Sequence, residues 1–150
     1  MIDVQLEPAR REDLPFVTGC AEMSYKIYVQ RIGKPPAPMV ADFPAALSQG
    51  ELEVISANGE KAGFLISQMR HGDLYVENVA VHPDFQGRGI AKALFSILEQ
   101  RAMQNDLSAI ELYTNEKMTE NLAFYPKLGF AEINRRSEAG FNRVYFRKTL

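Results

Sequence analysis

The sequence contains few of the residues that build disulfide or metal frameworks, with one cysteine and two histidines in 150 residues. A single thiol, Cys20, cannot form an intrachain disulfide, and with only two histidines it cannot supply a spaced Cys/His zinc site. We therefore expect neither a disulfide framework nor a bound metal ion.

Long hydrophobic runs are missing as well. No apolar stretch approaches the roughly 18 residues that a membrane-spanning helix needs. The amino terminus also lacks the basic head and apolar segment of a secretion signal. These absences predict a soluble, cytoplasmic protein with no membrane partner.

Neither sign of charge dominates, because 17 basic residues nearly balance 19 acidic ones and leave a net charge of −2. A charge of that size does not attract nucleic acid, which we therefore do not expect as a partner. The hydrophobic content of 46% is that of an ordinary globular chain, long enough for one domain with a core and short for two. We expect residues 1–150 to form a single domain.

The hydrophobic pattern switches repeatedly between the strand period and the helix period. Strands are expected near 2–6, 52–55, 61–70, 74–81, 109–114, 130–135 and 143–148. Helices are expected near 11–32, with a bend at Gly19, and near 42–49, 89–104 and 117–127. This order predicts a mixed α/β fold with a hairpin at each flank.

The segment from Glu77 to Ala91 (ENVAVHPDFQGRGIA) combines a buried strand, a turn and a glycine-rich helix start. Unpaired N–H groups and the positive end of the helix dipole favour an anion there, and Gly87 and Gly89 allow a ligand to approach the backbone. A glycine turn needed only for packing explains the residues equally well. The segment is neither a nucleotide P-loop nor a G-x-G-x-x-G dinucleotide fingerprint.

Two motifs in this order resemble the GNAT superfamily of N-acetyltransferases. The run VHPDFQGRGIA (81–91) is similar to the family signature Q/R-x-x-G-x-G/A, with Gln86, Gly89 and Ala91 at its defined positions. The run YPKLGF (125–130) is similar to the family's Y-x-K-x-G-F element. The resemblance implies a GNAT-like acyl-CoA N-acyltransferase fold, with a central mixed sheet of about seven strands, flanked by helices and splayed between the fourth and fifth strands.

The resemblance also implies acetyl-CoA as a co-substrate. By position, the pantetheine pairs with backbone groups of Val79, Ala80 and Val81. The pyrophosphate binds the backbone amides of Gln86, Gly87, Arg88, Gly89, Ile90 and Ala91. One departure concerns the cofactor-contacting Asn of the family, whose position holds Met118; Asn121, one helical turn before Tyr125, is expected to compensate, although a capping or solvated Asn is equally consistent.

Glu77 is the candidate general base, because a carboxylate in an apolar central strand is costly to bury unless it is partnered or used. The alternative is a Glu near solvent or paired with an arginine. Tyr125 is the candidate general acid by its position in the second motif, and the alternative is an ordinary core tyrosine. Pro126 directly follows, so we expect the helix to kink or end there.

The acceptor site is expected in loops, where variable binding residues concentrate. Candidate lining residues are Tyr25, Tyr28, Met39, Asp42 and Phe43. Asp42 suits a cationic substrate group, and it equally suits the N-cap of the following helix. Arg135, Arg136 and Arg143 fit a solvated hairpin or contact with an acidic substrate.

These observations predict an enzyme that transfers the acetyl group of acetyl-CoA to a primary amine by direct attack in a ternary complex. Two alternatives stay open. One is a non-catalytic acyl-CoA-binding or regulatory module on the same fold, and the other is an acetyltransferase that acts on protein N-termini or lysines. The expected partner is a small amine or a peptide, and a homodimer is left open.

Overall fold

The computed structural model describes residues 2–150, which form a seven-stranded sheet in the order β1-β2-β3-β4-β5-β7-β6. The strands are β1 (Val4–Pro8), β2 (Leu52–Ala57), β3 (Glu60–Arg70), β4 (Asp73–Val81), β5 (Ala109–Asn115), β6 (Ala131–Glu138) and β7 (Phe141–Thr149). The β4–β5 pair is parallel and the other neighbouring strands are antiparallel. The expected mixed sheet is confirmed.

Four α-helices cover the two faces of the sheet: α1 (Leu14–Ile32), α2 (Phe43–Ser48), α3 (Ile90–Gln104) and α4 (Thr119–Lys127). Helix α1 runs through Gly19 without interruption and ends at Gly33, whose φ of 88° gives a left-handed C-cap. None of the helices within residues 2–150 has the length and hydropathy that a bilayer crossing requires.

Each face of the sheet has its own hydrophobic core. Helices α3 and α4 bury Leu94, Leu98 and Tyr125 against one face. Helices α1 and α2 bury Val17 and Phe43 against the other. Because both faces are covered, the central strands β3 and β4 carry apolar side chains on both sides.

Strand β4 contains one extra residue. Ile66 of β3 pairs with Asn78, whereas the adjacent Ser67 pairs with Val76, so Glu77 is left opposite no partner as a β-bulge. A one-residue insertion exchanges the two faces of a strand. Leu74 and Val76 accordingly contact the α3 side, whereas Asn78 and Ala80 lie on the α1 side, with Val79 and Val81 now against α3.

Beyond the bulge, β4 separates from β5. Pairing between them is restricted to Leu74–Val76 opposite Ile110–Leu112, although both strands continue past these residues. The splay between the fourth and fifth strands is therefore confirmed. It leaves a gap in the middle of the sheet between the second halves of β4 and β5.

We expect Gly63→Ala to disrupt the strand pair that carries this gap. A Cβ at Gly63 would overlap the Ala80 carbonyl oxygen, and this neighbour is backbone that cannot rotate away. Urea unfolding should show a loss of stability of about 1–3 kcal/mol or more.

Gly19→Ala is the matched control, because a Cβ at Gly19 meets nothing within 4 Å. Alanine there should stabilise α1 by up to about 1 kcal/mol. Equal stability of the Gly63→Ala variant and the parent protein would contradict the close approach of β3 and β4.

Candidate active site

Three concave regions adjoin one another at the gap between β4 and β5. The helix-side cleft lies among α1, α3, α4 and the end of β4, and its lining includes Ser24, Tyr28, Val81, Gly87, Ala91 and Lys127. It shares Val79, Asn121 and Tyr125 with the gap itself. The gap shares Glu77, Asn78, Tyr113 and Arg143 with a hairpin-side cleft, which is bordered by the 37–42 loop and by β6 and β7. We refer to these three adjoining regions, which border both faces of the sheet, as the passage.

The helix-side cleft contains the start of α3. No residue in the described chain accepts a hydrogen bond from the backbone N–H groups of residues 87–92. Gly87 and Gly89 both have φ of 79°, and a Cβ at either would meet nothing within 4 Å. The N–H groups and the open space above them form a site suited to an anion.

The predicted amide set needs one correction. The Gln86 N–H donates to the Pro83 carbonyl, so it is occupied, whereas the N–H of Lys92 is free. The side chains of Gln86 and Arg88 also bond within the loop, to the carbonyl oxygens of Val81 and Asp84. Backbone groups, rather than the Arg88 side chain, therefore dominate this site.

Only alternate residues of β4 present their backbone to the gap. The His82 N–H donates to the Ala62 carbonyl in β3. Because the backbone N–H and C=O groups of successive residues point to opposite sides of a strand, those of Ala80, two residues earlier, also face β3. Those of Val79 and Val81 face the opposite way, where β5 is absent. Of the three predicted backbone contacts, Ala80 is thus turned away from the gap.

Tyr125 lies between the helix-side cleft and the gap. Its ring is buried in an aromatic cluster, with ring centroids 5.4–5.7 Å from those of Phe95, Phe124, Phe130 and Phe146. Its hydroxyl makes no hydrogen bond with any described residue, although both cavities border the side chain. Burial raises the pKa of Tyr125 well above its ordinary value, so the phenol stays protonated at neutral pH.

Of the two outcomes expected at Pro126, a kink or the end of the helix, the structure shows the end, because α4 stops at Lys127. Helix α4 continues through Pro126 to Lys127, and the Tyr125 carbonyl accepts hydrogen bonds from the N–H groups of Leu128 and Phe130. Because Pro126 lies in the last turn, its missing donor interrupts no later turn of the helix. Tyr125 is held by a regular backbone.

Asn121 borders the gap from the same helix. Its Nδ2 donates to Thr114 Oγ1 at 3.0 Å, and no described residue donates to its Oδ1. Met118 is buried and its sulfur accepts a hydrogen bond from Thr114. Asn121 therefore offers an acceptor to the cavity, and Met118 packs beneath it.

Glu77 borders both the gap and the hairpin-side cleft, and its surroundings match the stated alternative of a glutamate near solvent and an arginine rather than a buried carboxylate. Its side chain is 40% exposed because the bulge turns it out of the strand pair. Gln68 Nε2 donates to Glu77 Oε1 at 3.2 Å, and an Arg70 nitrogen lies 3.9 Å from the same oxygen. The carboxylate is thus accessible from the acceptor side and has polar neighbours.

Tyr25, one of the expected lining residues, borders the gap, but its buried partner Asn78 was not identified from the sequence. The Tyr25 hydroxyl lies 2.9 Å from both Asn78 Oδ1 and the Val79 carbonyl, and Asn78 Nδ2 donates to the Pro38 carbonyl. These bonds connect α1, β4 and the 37–42 loop around the gap. An Asn in an otherwise apolar central strand was the available signal.

Three of the five expected acceptor-site residues lie elsewhere. Phe43 is buried in the core with its ring 5.3 Å from that of Phe64, and Met39 packs against the same core. Tyr28 borders the helix-side cleft instead. Asp42 does border the hairpin-side cleft, and its side chain caps α2 by accepting from the Ala45 N–H at 3.0 Å.

Tyr28 takes part in a polar contact between α1 and α4. Its hydroxyl donates to Glu120 Oε2 at 3.1 Å, and Arg31 donates to Glu120 Oε1 at 2.6 Å. The Arg31 hydrogen bond lowers the pKa of Glu120 to about 2, and burial raises the pKa of Tyr28 to about 12. This contact joins the two walls of the helix-side cleft.

Cys20 is not placed for catalysis. It is buried in α1, and burial raises the pKa of its thiol to about 11, so the thiolate form is rare at neutral pH. Within residues 2–150, no three His, Cys, Asp or Glu side chains are grouped to hold a metal ion.

Comparison with known proteins connects this geometry to a family. The model of the acetyltransferase (GNAT) family matches residues 23–130. The ribosomal protein bS18-alanine N-acetyltransferase of Escherichia coli (strain K12) is 29% identical over 107 residues, which cover 69% of this chain and 68% of that protein. The uncharacterized N-acetyltransferase ycf52 of Pyropia yezoensis is 35% identical over 75 residues, 49% of this chain and only 41% of that protein.

Among solved structures, the PaiA N-acetyltransferase of Thermoplasma acidophilum in complex with coenzyme A has the same fold. Its TM-score is 0.75 at 14% identity, and the superposition covers 99% of each chain.

Proposed function

Because this chain belongs to the GNAT acetyltransferase family and is therefore an acyltransferase, we propose that residues 1–150 act as one domain that transfers acetyl from acetyl-CoA to a primary amine. The observation that carries the proposal is the passage. An anion-binding helix start opens on one side, an acceptor cleft opens on the other, and Tyr125 lies between them. Two substrates entering from opposite faces would meet in the gap, as direct attack in a ternary complex requires.

The helix-side cleft fits coenzyme A by the chemistry of its donors. The free N–H groups of residues 87–92, including those of Ile90 and Ala91, suit a pyrophosphate. The backbone of Val79 and Val81 faces the gap as a strand edge does, and it suits the amides of pantetheine. The Oδ1 of Asn121 adds an acceptor nearby.

Gly89→Asn tests the pyrophosphate assignment. Asn tolerates the positive φ of Gly89 better than most residues, and its side chain fills the space above the free N–H groups. We expect acetyl-CoA to bind about tenfold more weakly in calorimetry, a change of about 1.4 kcal/mol.

Gly59→Asn is the matched control, because Gly59 has a φ of 83° in a turn away from the passage. It carries similar backbone strain and should bind acetyl-CoA as the parent does. Unchanged affinity in a folded Gly89→Asn variant would rule out this phosphate site.

The transfer needs a neutral amine, and Glu77 is the base that we assign to it. The amine loses a proton to the Glu77 carboxylate, directly or through a water molecule, and its nitrogen forms a bond to the thioester carbonyl carbon. The exposed carboxylate beside the gap is accessible to an amine in the hairpin-side cleft. The C–S bond then breaks and the thiolate leaves.

Glu77→Gln should lower the rate of acetyl transfer most strongly below the pKa of the acceptor amine, because the amide cannot accept a proton. The measurement is the pH–rate profile of thiol release from acetyl-CoA. Glu51→Gln is the matched control, since Glu51 accepts a hydrogen bond from the same Gln68 amide but lies outside the passage. Overlapping profiles for Glu77→Gln and the parent would assign the base elsewhere.

Tyr125 is the acid that we assign to the departing thiolate. Its phenol is protonated, has no partner within the described chain and borders the gap. Burial raises the pKa of the Tyr125 phenol, and it also raises the pKa of a thiol placed beside the ring. The proton donor and the departing thiolate are therefore shifted in the same direction. An acceptor that enters as an ammonium ion loses one proton to Glu77 before attack and a second as the amide forms; the sulfur gains one proton and the other is released to solvent.

Tyr125→Phe should lower turnover by about 10²-fold through loss of this proton donor. Stability should change by less than about 1 kcal/mol, because the hydroxyl has no hydrogen-bond partner and the ring is retained. Acetyl-CoA affinity should change little, since the phosphate site lies on α3. Parent-like turnover at saturating substrates, where chemistry limits the rate, would mean that solvent protonates the thiolate.

The acceptor class has two candidates, a small amine and a protein N-terminus. The 29%-identical relative is named as an acetyltransferase of the alanine of ribosomal protein bS18, which favours an N-terminal peptide. The same thiol-release assay with a panel of small amines and short peptides separates these candidates. Absence of release with every acceptor would favour the non-catalytic acyl-CoA-binding module.

A further inference from the structure

Three arginines of the hairpin-side cleft lie over tyrosine rings. The guanidinium carbon of Arg70 is 4.3 Å from the Tyr75 ring centroid, that of Arg143 is 4.4 Å from Tyr113, and that of Arg136 is 4.6 Å from Tyr145. All six residues border this cleft. A stacked guanidinium is held in orientation by the ring and keeps its N–H groups available at its edge.

Within residues 2–150, none of the three arginines donates a hydrogen bond to a carboxylate. Arg70 and Arg143 make only long ion pairs, at 3.9 Å to Glu77 and 3.8 Å to Glu138, and Arg136 has no ion-pair partner among the described residues. Arg143 is notable because its side chain is only 15% exposed. A guanidinium removed from water without a hydrogen-bonded counter-ion is costly.

The acidic residues of the cleft have other partners. Arg147, outside the cleft, bonds both Asp73 and Glu111. Glu138 accepts from the Tyr145 hydroxyl at 2.6 Å, and Asp42 caps α2. Glu77 accepts from Gln68. His71 also borders the cleft.

The strand register adds an independent observation. Arg136 of β6 is the direct cross-strand partner of Arg143 of β7. Like charges placed directly opposite each other on neighbouring strands are destabilising. An anion held between them would remove this repulsion.

We propose that the acceptor carries an anionic group, a carboxylate or a phosphate, beside its amine, and that Arg136 and Arg143 bind this group. The inference rests on the proposed function in one respect, namely that the hairpin-side cleft receives the amine. Bound in this way, the anion orients the acceptor while its amine points toward Glu77 and the gap. Arg136 and Arg143 thereby determine specificity.

The neighbouring Arg135 supplies a matched control. It precedes Arg136 on β6, and alternate residues of a strand face opposite sides. Arg135 donates two hydrogen bonds to Glu132 and does not border the cleft. Arg135→Gln and Arg136→Gln remove the same charge from adjacent exposed positions on the two faces of one strand.

The test uses three pairs of amines that differ in one charge. They are the amidated tripeptides Ala-Glu-Ala and Ala-Gln-Ala, 4-aminobutyrate and 4-aminobutanamide, and phosphoethanolamine and ethanolamine. We expect kcat/KM to be about tenfold or more higher for the charged member of at least one pair, because its anionic group accepts charge-assisted hydrogen bonds from Arg136 and Arg143. Arg136→Gln should abolish that preference through KM, and Arg135→Gln should retain it. The pair that responds identifies a peptide carboxylate, a small carboxylate or a phosphate.

Calorimetric binding of the same pairs to the coenzyme A-saturated protein gives a reading that does not require turnover. Tighter binding of a charged member, lost in Arg136→Gln, supports the anion site. Equal binding of both members of every pair, or an equal loss in Arg135→Gln, overturns it. Discrimination in binding without thiol release from acetyl-CoA would instead overturn the proposed function and leave the anion site standing.

Discussion

The central constraint on this protein is that its middle strands must stop pairing while the sheet around them stays intact. β4 and β5 are joined at only three residue pairs, Leu74–Val76 opposite Ile110–Leu112. Backbone groups in a buried gap need other partners. The Tyr25 hydroxyl reaches the carbonyl of Val79 and that of Ser24 reaches Val81, so side chains of α1 replace part of the missing strand. The N–H groups on this edge are left for a ligand.

The passage is kept rigid by contacts on both sides. An aromatic cluster around Tyr125 fixes the ring from the α3 side, with Phe95 and Phe130 in edge-to-face contact. On the α1 side, Asn78 donates to the Pro38 carbonyl and so attaches the 37–42 loop to β4. Chemistry in the gap thus takes place between elements whose positions are set by packing and buried hydrogen bonds.

Local patterns were sufficient to predict the element order and the glycine-rich start of α3, because these features depend on neighbours in sequence, through periodicity and the φ preferences of glycine. The role proposed for Tyr125 comes instead from the resemblance of the second motif to the family. The sequence left two environments open for Glu77, buried or near solvent, because the outcome depends on a bulge defined by the register between β3 and β4. Phe43 and Met39 are expected at the acceptor site because they lie beside a loop. The sequence does not distinguish an aromatic or thioether side chain that packs in the core from one that lines a cleft. The Arg136–Arg143 pair likewise depends on hairpin register.

The bulge at Glu77 also affects how this segment tolerates change. Deleting Glu77 would join Val76 directly to Asn78 and give a regular strand pair, so the residues from Asn78 to Val81 would keep their faces and their pairing with β3. Loss of the bulge with Glu77 retained and paired opposite β3 would instead turn Asn78 toward α3, and the backbone edge that faces the gap would pass from Val79 and Val81 to their neighbours. In this part of the chain, the strand register decides which residues face each side, and residue identity alone does not.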